Sequence, residues 1–124
     1  MAPEISSTFA RAAWSLLLVG FVSGATLGLF FHRDDFLGGY ASFRRRLLRL
    51  GHVACIALAL IALELARSLP AGAPTWIAPT FLAGAFLMPA VCFLVAWRAS
   101  FRLLFALPVV ALAAPVVARI AARG

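Results

Sequence analysis

Formal charges along this chain fall in short clusters, and the stretches between them are almost wholly apolar. The first stretch runs from Ala12 to Phe31, between Arg11 and His32. It holds 20 residues without a formal charge, a length that as α-helix covers roughly 30 Å, the thickness of a hydrocarbon slab. The second follows Arg49, from Leu50 to about Ala66, with Glu64 inside it. The third lies between Arg67 and Arg98; Pro70, Gly72 and Pro74 read as a turn, so the helix itself is expected over Trp76–Trp97. The fourth goes from Leu103 to Ala118, between Arg102 and Arg119. It is short, and reaches full length only if its flanking arginines snorkel their heads to the interface.

These runs are continuous rather than alternating with period two. That pattern argues for helices over a barrel, and helices satisfy every backbone polar group within the segment. The predicted fold is therefore all-α: four transmembrane helices at about 12–31, 50–66, 76–97 and 103–118, joined by short loops into one up-down bundle. Composition agrees. Of 124 residues, 65% are hydrophobic and 12% charged, whereas a soluble domain is nearer half apolar and a quarter charged. Mean hydropathy is +1.04. The spans leave no room for a separate water-soluble domain. The opening Met1-Ala2-Pro3-Glu4 carries no basic stretch, so no removable signal peptide is expected.

Net charge is +7, with eleven arginines and no lysine. Because the arginines border apolar runs rather than lining one polar face, they read as topogenic charge and not as a nucleic-acid footprint. Loop 32–49 and the loop between the last two spans carry seven of them: Arg33, Arg44, Arg45, Arg46, Arg49, Arg98 and Arg102. The other side holds four: Arg11, Arg67, Arg119 and Arg123. The positive-inside rule then places loop 32–49 in the cytoplasm and both termini outside. Trp14, Trp76 and Trp97 fall near span ends, as interfacial aromatics do. Arginine and alanine usage without lysine suggests a bacterial source of high genomic GC, hence an inner-membrane location.

Gly20, Gly24 and Gly28 recur every four residues and line one face of the first helix, a pattern that admits close approach of another helix. Pro89 falls in the third span and Pro108 and Pro115 in the fourth, where each can kink its helix. In loop 32–49, Gly38 and Gly39 offer a turn. Phe43, Leu47 and Leu50 share a face, so a short interfacial helix is expected there, with Arg44, Arg45, Arg46 and Arg49 contacting anionic headgroups or a partner.

Chemistry-bearing residues are few. His32 ends the first span and His52 starts the second, and paired imidazoles are a means of ligating a haem b or a transition metal. Cys55 and Cys92 fall at matching depth from the same edge, so a cluster of His32, His52, Cys55 and Cys92 is geometrically open, with Asp34 and Asp35 near His32. Against it, interfacial histidines and buried cysteines are commonly structural. Glu64 is the single acid within a span. Arg67, three residues on, is spaced to pair with it, and that pair accounts for the acid without a transport role. No nucleophile-base set, phosphate loop or metal motif is present, so no enzyme activity, resident cofactor or metal is expected. The expected role is a non-catalytic small membrane subunit that stabilises or helps assemble a larger bacterial membrane complex, respiratory or photosynthetic. Its partners would be anionic lipids and other membrane subunits. The alternatives are an electron-transfer protein binding haem or quinone at His32 and His52, and a small oligomeric transporter using Glu64.

Overall fold

The computed structural model describes residues 3–122, with side chains from Ser7 onward. Met1, Ala2, Arg123 and Gly124 lie outside the described residues, and with them Arg123 of the charge count. Four α-helices make up the fold: α1 (Pro3–Phe31), α2 (Phe43–Ser68), α3 (Ile77–Trp97) and α4 (Ala106–Ala121). Two 3₁₀ segments, Phe36–Gly38 and Ala99–Phe105, occupy the connections at one end. All four helices supply stretches long and apolar enough to cross a membrane, of 25, 26, 21 and 23 residues. The protein is thus a small multi-pass integral membrane protein, a four-helix bundle with short connections.

Several boundaries differ from the sequence reading. Helix α1 starts nine residues earlier than Ala12, with Pro3 in its first turn, where the missing N–H costs nothing. The expected break between an interfacial helix and the second span does not exist. Helix α2 is continuous from Phe43, because Ser42 caps its start, accepting a bond from the Arg45 N–H at 3.2 Å. Leu47 is consequently buried against α3 and not laid on a lipid surface, while Phe43 and Leu50 stay exposed. The fourth span is longer than the uncharged run, and its bounds take in Arg102 and Arg119 near its two ends. The 3₁₀ segment from Ala99 lengthens it to 23 residues, or roughly 38 Å from the two helical rises. Pro108 falls in the first turn of α4, where the N–H groups have no intrahelical partner to lose. Pro89 and Pro115 lie inside α3 and α4.

Packing follows chain order. Helix α2 lies along both α1 and α3, and α3 along α4, while α1 and α4 share no extensive contact. The main core is built from three helices: Phe9, Ala13, Leu16 and Leu17 of α1, Cys55, Ala59 and Ala62 of α2, and Ala78, Phe81 and Ala85 of α3. Small residues dominate its α2 wall, which lets backbones approach closely where lipid gives no hydrophobic drive. A second cluster joins Leu47 to Val91, Val95 and Ala96, with Phe101 and Leu104 of the 3₁₀ segment against it. Helix α4 is peripheral: 11% of its most apolar stretch is buried, against 44% for α3.

Each interface between consecutive helices contains a glycine where a side chain would clash with the partner helix. A Cβ on Gly20 would stand 2.7 Å from Ile56 Cγ1 of α2, one on Gly51 would stand 2.7 Å from the Phe93 ring of α3, and one on Gly84 would stand 2.8 Å from Leu112 Cγ of α4. Of the predicted glycine stripe, Gly20 and Gly24 face α2, whereas Gly28 meets nothing within 4 Å. Gly51 and Gly84 carry the same function alone, without a sequence stripe to announce them.

Candidate functional site

The arginine-rich end of the bundle is organised by one buried guanidinium. Arg45, in the first turn of α2, is 2% exposed. Its Nη2 donates to the Phe31 carbonyl at 2.6 Å and its Nη1 to the Arg33 carbonyl at 3.4 Å. The guanidinium carbon lies 4.5 Å from the Phe31 ring centroid and 5.8 Å from that of Tyr40. Phe31 is the last residue of α1, so its carbonyl has no intrahelical partner; a cation supplied by α2 fills that vacancy and complements the negative helix end. Arg49, one turn on, sits 4.5 Å from the Tyr40 ring and donates to the Tyr40 carbonyl at 3.4 Å. Arg45 is therefore not a headgroup or partner contact, as the sequence suggested; it is committed to the α1–α2 connection. Arg44 and Arg46 are exposed, and Arg49 is half-buried.

The connection that Arg45 holds is tightly wound. Leu37 has φ 55°, and Gly38 and Gly39 have φ 87° and 90°. The two glycines reach that region freely, whereas Leu37 pays a steric penalty there. Phe36 stacks on Phe30 with ring centroids 5.4 Å apart.

The two histidines are not brought together. His32 is exposed in the turn after α1. His52 lies half-buried against α1 at Gly20 and Gly24, its Nδ1 2.8 Å from the Gly20 carbonyl and 3.4 Å from Ser23 Oγ. The short contact to a carbonyl makes Nδ1 the protonated nitrogen that donates. A Cβ on Gly24 would stand 2.9 Å from both ring nitrogens and overlap Cε1. Gly24 is eight residues back from His32, about 12 Å along the helix. The structure thus sets the His52 ring against Gly20 and Gly24 of α1, and not beside His32. Cys55 and Cys92 are free thiols buried at the α1–α2 and α2–α3 interfaces. Among the described residues no group of three His, Cys, Asp or Glu side chains is arranged to hold a metal ion.

At the opposite end, Glu64 and Arg67 of α2 line an open groove of about 610 Å³ with Trp14 of α1 and Leu60 and Leu63. Both charged residues are exposed. They share the groove as their spacing implied, yet no ion pair within 4.0 Å joins them. Arg119 of α4 donates from Nη2 to the Ser68 carbonyl at 2.9 Å, covering the C-terminal end of α2 as Arg45 covers that of α1. Sequence reasoning missed both caps. An arginine bordering a span is assigned to topology by default, and nothing local marks one that reaches another helix.

Comparison with protein-family models, with curated proteins and with solved structures gave no match.

Proposed function

We propose that this chain is a non-catalytic subunit that stabilises or helps assemble a larger membrane complex of a bacterial inner membrane, with both termini periplasmic. One observation carries the reading: the interior is closed and apolar. Ala13, Cys55, Ala59, Ala62, Ala85 and Cys92 have no exposure at all, and this close packing of small apolar residues supports a structural role for the three-helix core. The polar groups that do enter the packed region are spent internally, Arg45 and His52 on backbone carbonyls of α1. What the chain offers other molecules is its outside: the uncovered flank of α4 and an arginine-bearing end. The excess of arginine at that end supports a cytoplasmic location for it. The engagement of Arg45 and His52 in holding α1 to α2 supports a chain that works by contact.

Purification from native membranes in mild detergent tests this. The expected result is co-elution with larger membrane subunits at fixed stoichiometry. A single monodisperse species containing this chain alone would overturn the proposal.

A further inference from the structure

We infer that the groove between α1 and α2 at the end opposite the arginine-rich loop binds one phospholipid with a primary-ammonium, phosphodiester headgroup, of the phosphatidylethanolamine class. The groove is walled by Trp14 on α1 and by Leu60, Leu63, Glu64 and Arg67 on α2. Its depth suits a lipid. Glu64 stands four residues before Ser68, the last residue of α2, about 6 Å inside the helix end. The apolar walls at Leu60 and Leu63 continue towards the bilayer centre and fit acyl chain, while the charged residues lie at headgroup level.

The charges select the headgroup. An ionised carboxylate facing lipid is costly unless a cation meets it. Among the described residues Glu64 has no such partner, since Arg67 lies one turn away without closing an ion pair. The groove therefore presents an open anion and an open cation side by side, with no net charge. An anionic headgroup satisfies Arg67 and leaves Glu64 facing a second negative charge. A zwitterion satisfies both: its phosphodiester oxygens accept from the Arg67 guanidinium, and its ammonium donates to the Glu64 carboxylate. A primary ammonium has N–H donors for that carboxylate, and a quaternary one has none. Trp14, 59% exposed on the facing helix, supplies an aromatic face at the interface, a place where such rings are at home and where they attract cations.

The test is native mass spectrometry of the full chain released from mild detergent. Phosphatidylethanolamine, phosphatidylcholine and phosphatidylglycerol of identical acyl chains compete at equal concentration. The wild type is expected to retain phosphatidylethanolamine roughly tenfold over phosphatidylglycerol, the ratio that one additional charge-assisted contact produces, with phosphatidylcholine in between. Glu64→Gln is expected to abolish the preference while keeping retention, and Arg67→Gln to lower retention of all three lipids. Both positions are exposed, and an unchanged thermal midpoint confirms that each variant folds. Equal retention of the three lipids by the wild type, a preference for phosphatidylglycerol, or a Glu64→Gln variant that still prefers phosphatidylethanolamine would overturn the inference.

Discussion

Alanine at Gly24 gives the most direct test of how α1 and α2 are held together. The new methyl carbon would sit 2.9 Å from Nδ1 and Nε2 of His52 and closer still to Cε1, where carbon contacts are optimal at about 3.5–4.0 Å. The ring must retreat by half an ångström or more, and retreat stretches its bond to the Gly20 carbonyl, now 2.8 Å. Overpacking of this kind costs about 1–3 kcal/mol. Loss of an interhelical hydrogen bond in a membrane adds about 0.6 kcal/mol. Against both stands the helix-propensity gain of Gly→Ala, roughly 0.5–1 kcal/mol. The expected net is a destabilisation of about 0.6–3 kcal/mol, dominated by the clash. Gly28 provides the control, because a Cβ there meets nothing within 4 Å, so Gly28→Ala carries the propensity gain alone. Reversible unfolding in mixed micelles, titrated with a denaturing detergent, measures both. The same assay on Gly24→Ala in a His52→Ala background removes the ring and with it the penalty. The reasoning is refuted if Gly24→Ala and Gly28→Ala agree within about 0.5 kcal/mol, the scatter of uneventful surface changes, or if the Gly24→Ala cost survives loss of the His52 ring.

Four further outcomes follow from the same structure. Arg45→Met should lose about 1.5–3 kcal/mol, the worth of a hydrogen bond to a charged donor, and speed amide exchange across residues 32–42; Arg44→Met and Arg46→Met, both at exposed positions, should be near neutral. Gly84→Val should cost about 1–3 kcal/mol by pushing Leu112 away, and should expose α4 to proteolysis before the other helices, whereas Gly72→Ala, in open space, should do neither. Cys55 and Cys92 have no exposure, so a maleimide should leave the folded protein unmodified by mass and add twice after denaturation. Reporter fusions should place the 69–76 connection outside the cytoplasm and the 98–105 connection inside it; the reverse pattern would contradict the arginine bias.

The spans were legible because lipid imposes a simple demand, an uncharged run of sufficient length, and the runs ending at Phe31, Ala66 and Trp97 meet it. The errors arose where that demand stops. Hydropathy does not see that α1 continues back through Ser7 and Thr8, since a helix persists in water once propagated from an apolar segment. It does not see Ser42 capping α2, because arginines at the start of a helix read as a boundary. The glycine stripe was partly informative: periodicity identified Gly20 and Gly24, but spacing alone does not say which of three aligned glycines meets a partner, and a Cβ on Gly28 meets nothing within 4 Å. Gly51 and Gly84 stand singly, so only the facing side chains, Phe93 and Leu112, reveal them. The histidine pair failed for a related reason. Matching edge positions set depth but not azimuth, and His52 is turned towards a glycine of α1, away from the turn that carries His32.

The serial arrangement of the glycine contacts bears on biogenesis. Gly20 and Gly24 pair the first helix with the second, Gly51 the second with the third, and Gly84 the third with the fourth. Every newly inserted segment therefore finds its docking surface already in the bilayer, on the segment delivered immediately before. No helix has to wait for a later one, and closure between first and last is not required. Such a chain can complete its tertiary structure at the pace of the ribosome, leaving the last-arriving segment, least covered by its siblings, on the outside of the finished molecule.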